Sequence, residues 1–134
     1  MEQKPAPVAT HRILVVDDNV IIQDVLKQFL SPRYGVFAAT NASQALAAII
    51  RHSPTLIVLD VKMPGVDGLS LLKSLREMGV TVPIFVMTGY DSLDVAKEAL
   101  NNGANAYLPK PFDLLYLDRL ITDALGGESM PQAS

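Results

Sequence analysis

The chain has 134 residues, 49% hydrophobic and 19% charged, with a net charge of −3 at neutral pH. That suits one globular domain with its own core and leaves no basic surface for nucleic acid or membrane. There is no cysteine, and the two histidines, His11 and His52, are far apart in sequence, which excludes disulfides, thiolate zinc sites, cysteine nucleophiles and imidazole-built metal sites. No apolar run reaches membrane-spanning length and no secretory h-region stands near the N-terminus, so a cytoplasmic protein is the expectation.

Residues 1–10, with Pro5 and Pro7 among small and polar residues, read as a flexible arm. Ile13 to Val16 is a short apolar run of strand type that ends in Asp17-Asp18-Asn19. The period then changes. Ile21, Ile22, Val25, Leu26, Phe29 and Leu30 recur every three or four residues, which predicts an amphipathic helix. Asn19 is its N-cap, and Ser31-Pro32 ends it. Tyr34 to Ala38 is a second strand. Asn41 opens a second helix, with Gln44 placed as in a capping box, and Ser53-Pro54 closes it.

Leu56-Ile57-Val58-Leu59 is a third strand, unalternating and therefore buried on both faces. It ends at Asp60, and Pro64-Gly65 turns the chain soon after. Met63 to Gly68 reads as a loop, with Asp67 capping a helix whose face is Leu69, Leu71, Leu72 and Leu75 and which Gly79 stops. Pro83 leads into a fourth strand, Ile84 to Met87, followed by Thr88-Gly89. Asp91 or Ser92 caps a helix with Leu93, Ala96, Ala99 and Leu100, ended by Gly103. Ala106 to Leu108 is a fifth strand, Pro109-Lys110-Pro111 a stiff connection, and Leu114, Leu117, Ile121 and Ala124 a last helix that stops at Gly126-Gly127. Residues 127–134 form a polar tail, so the domain is expected over 11–126.

Strand and helix thus alternate five times. Unalternating strands joined by helices imply a parallel sheet covered on both faces, and right-handed crossovers make it a doubly wound five-stranded three-layer sandwich of α/β class. In such a sheet all strands end at one rim, where ligands bind. There stand Asp17 and Asp18, Asp60, Thr88 and Lys110. Each alone has an ordinary reading. Asp60 caps a turn, the acidic pair suits a helix N-terminus, Thr88 is a turn hydroxyl and Lys110 a surface lysine. Together they suit phosphoryl chemistry. Crowded carboxylates call for a hard cation such as Mg2+, which would also neutralise a phosphoryl group passing to Asp60. Lys110 and Thr88 could hold the other phosphoryl oxygens.

The set Val15-Val16-Asp17-Asp18-Asn19, Asp60-Val61-Lys62-Met63-Pro64-Gly65, Met87-Thr88-Gly89 and Tyr107-Leu108-Pro109-Lys110-Pro111-Phe112 resembles the receiver domain of two-component response regulators, the CheY-like family, over about His11 to Leu125. The resemblance implies a flavodoxin-like (βα)5 fold and a phosphorelay role. Asp60 would be the phospho-acceptor, supplied by a histidine kinase or histidine phosphotransfer protein. Mg2+ would be held by Asp17, Asp18, Asp60 and the backbone carbonyl of Lys62. Lys110 would contact the phosphoryl group, Thr88 and Tyr107 would be the switch pair, and the Lys110–Pro111 bond would be cis. The surface of the fourth helix, fifth strand and fifth helix would change its partner affinity. Lys62 and Tyr90 occupy positions that vary in the family and tune phosphoryl lifetime; Tyr90 either shields the site or points away.

Other readings compete. An aspartyl-phosphate hydrolase usually carries a second Asp two residues after its nucleophile, and here that residue is Lys62. A nucleotide-binding module would want a Gly-rich loop after the first strand, where this chain has Asp17-Asp18-Asn19. A receiver-like module that works without phosphorylation would not need the intact acidic set. His11 and His52 are expected to be exposed and not phospho-acceptors. The methionines Met63, Met78 and Met87 are expected as loop, surface or core fillers, and Tyr107 taken alone as a half-buried strand aromatic. The chain is either a stand-alone receiver acting on a protein target or part of a longer regulator with an output domain. The apolar breadth of Leu114, Leu115, Tyr116, Leu117 and Leu120 points to a homodimer or docking surface, or to thin burial.

Overall fold

The computed structural model describes residues 11–63, 66–89, 93–111 and 113–126. The expectations for residues 1–10 and 127–134, the Pro64-Gly65 turn, Tyr90 and the Asp91 or Ser92 cap lie outside these residues.

Five parallel strands, β1 (Arg12–Val16), β2 (Gly35–Ala39), β3 (Leu56–Asp60), β6 (Ile84–Thr88) and β7 (Ala106–Pro109), form one sheet in the order β2-β1-β3-β6-β7. The order reverses direction at β1, which makes the sheet doubly wound. Side chains alternate across it. Ile13, Val15, Leu56, Val58, Phe85 and Met87 face α1 (Val20–Leu30) and α5 (Leu114–Leu125), meeting Leu26, Leu30, Leu117 and Ile121. Leu14, Val16, Ile57, Leu59, Ile84 and Val86 face α2 (Ala42–His52), α3 (Gly68–Glu77) and α4 (Leu93–Asn101), meeting Ala45, Leu72, Leu75 and Ala99. The expected three-layer sandwich is the observed one.

The helix starts follow from their caps. Asn19 accepts from the Ile21 and Ile22 N–H groups, and Asp67 from that of Leu69; such caps are each worth about 1 kcal/mol. Asn41 caps α2, but Gln44 reaches back to Thr40 rather than to Asn41, accepting from its N–H and its hydroxyl at 2.8 Å each. Asp113 caps α5 as well.

Further expectations need correction. The second strand runs Gly35–Ala39, one residue later than Tyr34 to Ala38, because β1 pairs Arg12 with Gly35 and Val16 with Ala39; Tyr34 instead packs in the α1–α5 layer. The stretch Met63 to Gly68 is not all loop: β4 (Lys62–Met63) pairs antiparallel with β5 (Val66–Asp67), and α3 begins at Gly68. The histidines are half-buried, not exposed, with the His52 ring stacked on Phe37 at 3.8 Å between centroids. Met63 and Met87 are core residues and Met78 is a surface one. The Lys110–Pro111 bond is cis, as the resemblance implied.

Two side chains tie distant segments together. Arg33, in the α1–β2 turn, pairs with the buried Asp118 of α5. Arg76, at the end of α3, donates to the Gly103 carbonyl at 2.8 and 3.0 Å, to Val80 and Val82 carbonyls at 2.8 and 2.7 Å, and to Asn105 Oδ1 at 2.9 Å. All five guanidinium N–H groups are thereby used, and the segments leading into β6 and β7 are held at the pole opposite the strand ends that carry Asp60 and Thr88.

Candidate functional site

The strand ends at the C-terminal rim bring the expected residues together. Asp60 and Thr88 are the last residues of β3 and β6, not the first beyond them, and both are buried. Asp17 and Asp18 follow β1, the first buried and the second exposed. One carboxylate oxygen from each of Asp17, Asp18 and Asp60 lies within 4.8 Å of the other two. Lys110 follows β7, and its Nζ stands 3.0 Å from Asp60 Oδ2 and 3.6 Å from Asp17 Oδ2. Its backbone N–H donates to the Thr88 carbonyl at 2.7 Å, which fixes the lysine's loop to the end of β6. Tyr107 sits half-buried on β7, opposite Val86 in the register.

The loop after β3 is folded back on its own carboxylate. The Lys62 N–H donates to Asp60 Oδ1 at 3.1 Å, while the Val61 N–H donates to the Met87 carbonyl at 3.2 Å. That leaves Asp60 Oδ2 for Lys110. The Lys62 side chain is exposed.

Asp17 is the strained member. Burial is the chief cause that pushes its carboxyl above the ordinary aspartate range, and the Asp60 carboxylate adds to it; the Asn19 N–H and the Lys110 ammonium oppose the rise. Its Oδ2 is fully buried and has no hydrogen-bond partner, the 3.6 Å approach of Lys110 being an ionic and not a hydrogen-bonding distance. A buried acceptor left open beside two further carboxylates fits a hard cation with oxygen ligands, and Mg2+ needs only one or two protein carboxylates.

Sequence reasoning missed two residues that shape this rim. Gly68 gives no room for a side chain: a Cβ there would lie 2.4 Å from Val61 Cα and 2.8 Å from the Asp60 carbonyl oxygen. The signal was present as Asp67-Gly68, but only its capping half was read. Gln23 is a buried polar residue on α1, and a single polar position in an amphipathic helix carries no mark of burial.

Residues 13–122 match the model of the response regulator receiver domain. The DNA-binding transcriptional regulator NtrC of Salmonella typhimurium is 39% identical over 104 residues, 76% of this chain but 22% of that protein. Sporulation initiation phosphotransferase F of Bacillus subtilis is 36% identical over 104 residues, 77% of this chain and 84% of that protein. Among solved structures, the receiver domain of NtrX from Brucella abortus superposes with a TM-score of 0.80 at 34% identity, covering 87% of this chain and 99% of that one.

Proposed function

This chain belongs to the response regulator receiver family, and from that premise we propose that Asp60 accepts a phosphoryl group from a histidine kinase or histidine phosphotransfer protein. The observation that carries the reading is Lys110 Nζ at 3.0 Å from Asp60 Oδ2, within a cluster of three carboxylates. An Asp60 carboxylate oxygen attacks phosphorus, the phosphorus–nitrogen bond of the donor's phosphohistidine breaks, and the imidazole nitrogen keeps the electron pair. The Lys110 ammonium then faces the new oxygens by charge, and the Thr88 hydroxyl by hydrogen bond. Asp17, Asp18, Asp60 and the Lys62 carbonyl are the residues that would hold Mg2+. Bound there, the ion supplies charge neutralisation for the phosphoryl oxygens.

The same arrangement supports a switch. The added charge draws Thr88 toward Asp60, and Tyr107, behind it on β7, turns into the space given up. Phosphorylation shifts a population that already exists, within the limit set by the stability difference of the two states. The surface whose affinity changes is that of α4, β7 and α5. There Leu115 and Tyr116 are exposed and help line a groove of about 440 Å³ with Pro109, Pro111, Asp113 and Arg119. A protein target, an output domain in a longer chain, or a second copy would read it. A protein donor is supported by α1, where Val20, Ile21 and Val25 are exposed directly after the acidic loop.

We assign the receiver unit to residues 11–126, the work to the cytoplasm, and the chemistry to a signalling domain that assists its own phosphorylation and dephosphorylation. Among the described residues no helix is long and apolar enough to cross a membrane. The test is incubation with phosphoramidate and Mg2+, then borohydride reduction, which marks an acyl phosphate. The mark is expected at Asp60; a mark elsewhere, or equal marking of Asp60→Asn, contradicts the assignment.

A further inference from the structure

We propose that Gln23 is a positioning residue for the cation site, locking the loop after β1 so that Asp17 presents Oδ2 to the pocket. The proposal rests on reading the acidic cluster as a Mg2+ site.

Gln23 lies in the first turns of α1 and is 8% exposed. Its Nε2 donates to the Asp17 carbonyl at 2.6 Å and to the Ala39 carbonyl at 3.3 Å. The Ala39 carbonyl also accepts the Asp17 N–H at 3.0 Å. One primary amide has two N–H donors, and here both bridge the ends of β1 and β2. The Asn19 N–H meanwhile holds Asp17 Oδ1 at 2.9 Å. Three polar groups of Asp17, its N–H, carbonyl and Oδ1, are therefore fixed. The fourth, Oδ2, is buried without a hydrogen-bond partner.

This pattern differs from a polar group merely satisfied in a core. The other buried positions of α1, Leu26 and Leu30, are apolar. The buried amide occurs only at the end of the helix next to the carboxylates, and it is spent on the backbone of a carboxylate-bearing residue. Losing it frees the Asp17 carbonyl and loosens the loop that aims Oδ2. Groups that orient metal ligands from behind typically govern affinity by roughly 10–100-fold.

The experiment titrates the full chain with Mg2+ alone, by calorimetry, alongside thermal unfolding in EDTA. Gln23→Met keeps the length and removes both donors; Leu26→Ala on the same helix is the control for general destabilisation. Gln23→Met is expected to bind Mg2+ roughly 10–100-fold more weakly, while Leu26→Ala melts lower in EDTA yet binds like wild type. In the wild type, the Gln23 side-chain amide resonances are expected to shift on Mg2+ addition, a readout that does not depend on the variant folding. Binding by Gln23→Met within about twofold of wild type, equal weakening in Leu26→Ala, or unmoved Gln23 amide resonances overturns the proposal. A wild type that takes up no Mg2+ overturns the cation-site reading first, and the proposal with it.

Discussion

Lys110 Nζ meets Asp60 Oδ2 at 3.0 Å although their strands are not neighbours: β6 lies between β3 and β7 in the sheet. The lysine therefore spans the end of β6, where Thr88 is buried, and closes the pocket from the far side. Its side chain is 26% exposed and that of Asp60 5%, and in the proposed reading the lysine acts by its charge at Asp60. Lys110→Ala is expected to gain phosphoryl groups from a small donor about 10²-fold more slowly, the usual cost of removing one preplaced donor, with an unchanged circular dichroism spectrum. Equal rates for the variant and wild type would contradict the geometry.

Asp17 is expected to make stability in EDTA depend on pH. Its folded-state carboxyl titrates above its unfolded value, chiefly because it is buried. Between those two values the folded state binds a proton that the unfolded chain has lost, so stability falls as pH rises through the window. Asparagine cannot ionise. In EDTA, Asp17→Asn is expected to melt above wild type, by a margin that grows as pH rises from the ordinary aspartate range and levels off once the folded-state carboxyl has ionised. With Mg2+ present the order is expected to reverse, because only wild type offers the full ligand set. A margin independent of pH in EDTA would contradict the burial argument.

Gly68 has a steric duty. A methyl group there would run into Val61 Cα at 2.4 Å and the Asp60 carbonyl oxygen at 2.8 Å, both backbone atoms that cannot rotate aside. Gly68→Ala is expected to cost about 1–3 kcal/mol or more in denaturant unfolding, and to weaken Mg2+ binding because Val61 and Lys62 must shift. A cost below about 0.5 kcal/mol, the range of a bland surface change, would show that the loop yields freely.

Arg76 tests the separation of fold and site. Arg76→Ala leaves the carbonyls of Val80, Val82 and Gly103 without their donor, and is expected to cost about 2–3 kcal/mol. The clamp sits at the opposite pole from Asp60. The folded variant is therefore expected to take up phosphoryl groups at the wild-type rate, measured well below its melting temperature. A large rate loss would mean the two poles are coupled.

How much of this was legible in the sequence divides by range. The βα rhythm, the caps Asn19 and Asp67 and the rim residues are written in local pattern, whereas the order β2-β1-β3-β6-β7 is set only when the strands assemble. The start of β2 was missed by one residue, since Tyr34 and Val36 are both apolar and only pairing with Arg12 to Val16 sets the register. The β4–β5 pair was missed because strands of two residues carry no period. Gln23, and the partners Arg33 and Asp118, 85 residues apart, were illegible for another reason. Their burial depends on which elements pack together, and a lone polar residue on a helix looks solvent-facing until the sheet is assembled.

The most direct test is intact-mass spectrometry of the wild-type chain and Asp60→Asn after incubation with a small phosphodonor, with Mg2+ or with EDTA. Wild type is expected to gain one phosphoryl group only when Mg2+ is present, and Asp60→Asn none. Equal gain by Asp60→Asn, or gain by wild type undiminished in EDTA, would contradict a magnesium-assisted acceptor at the end of β3.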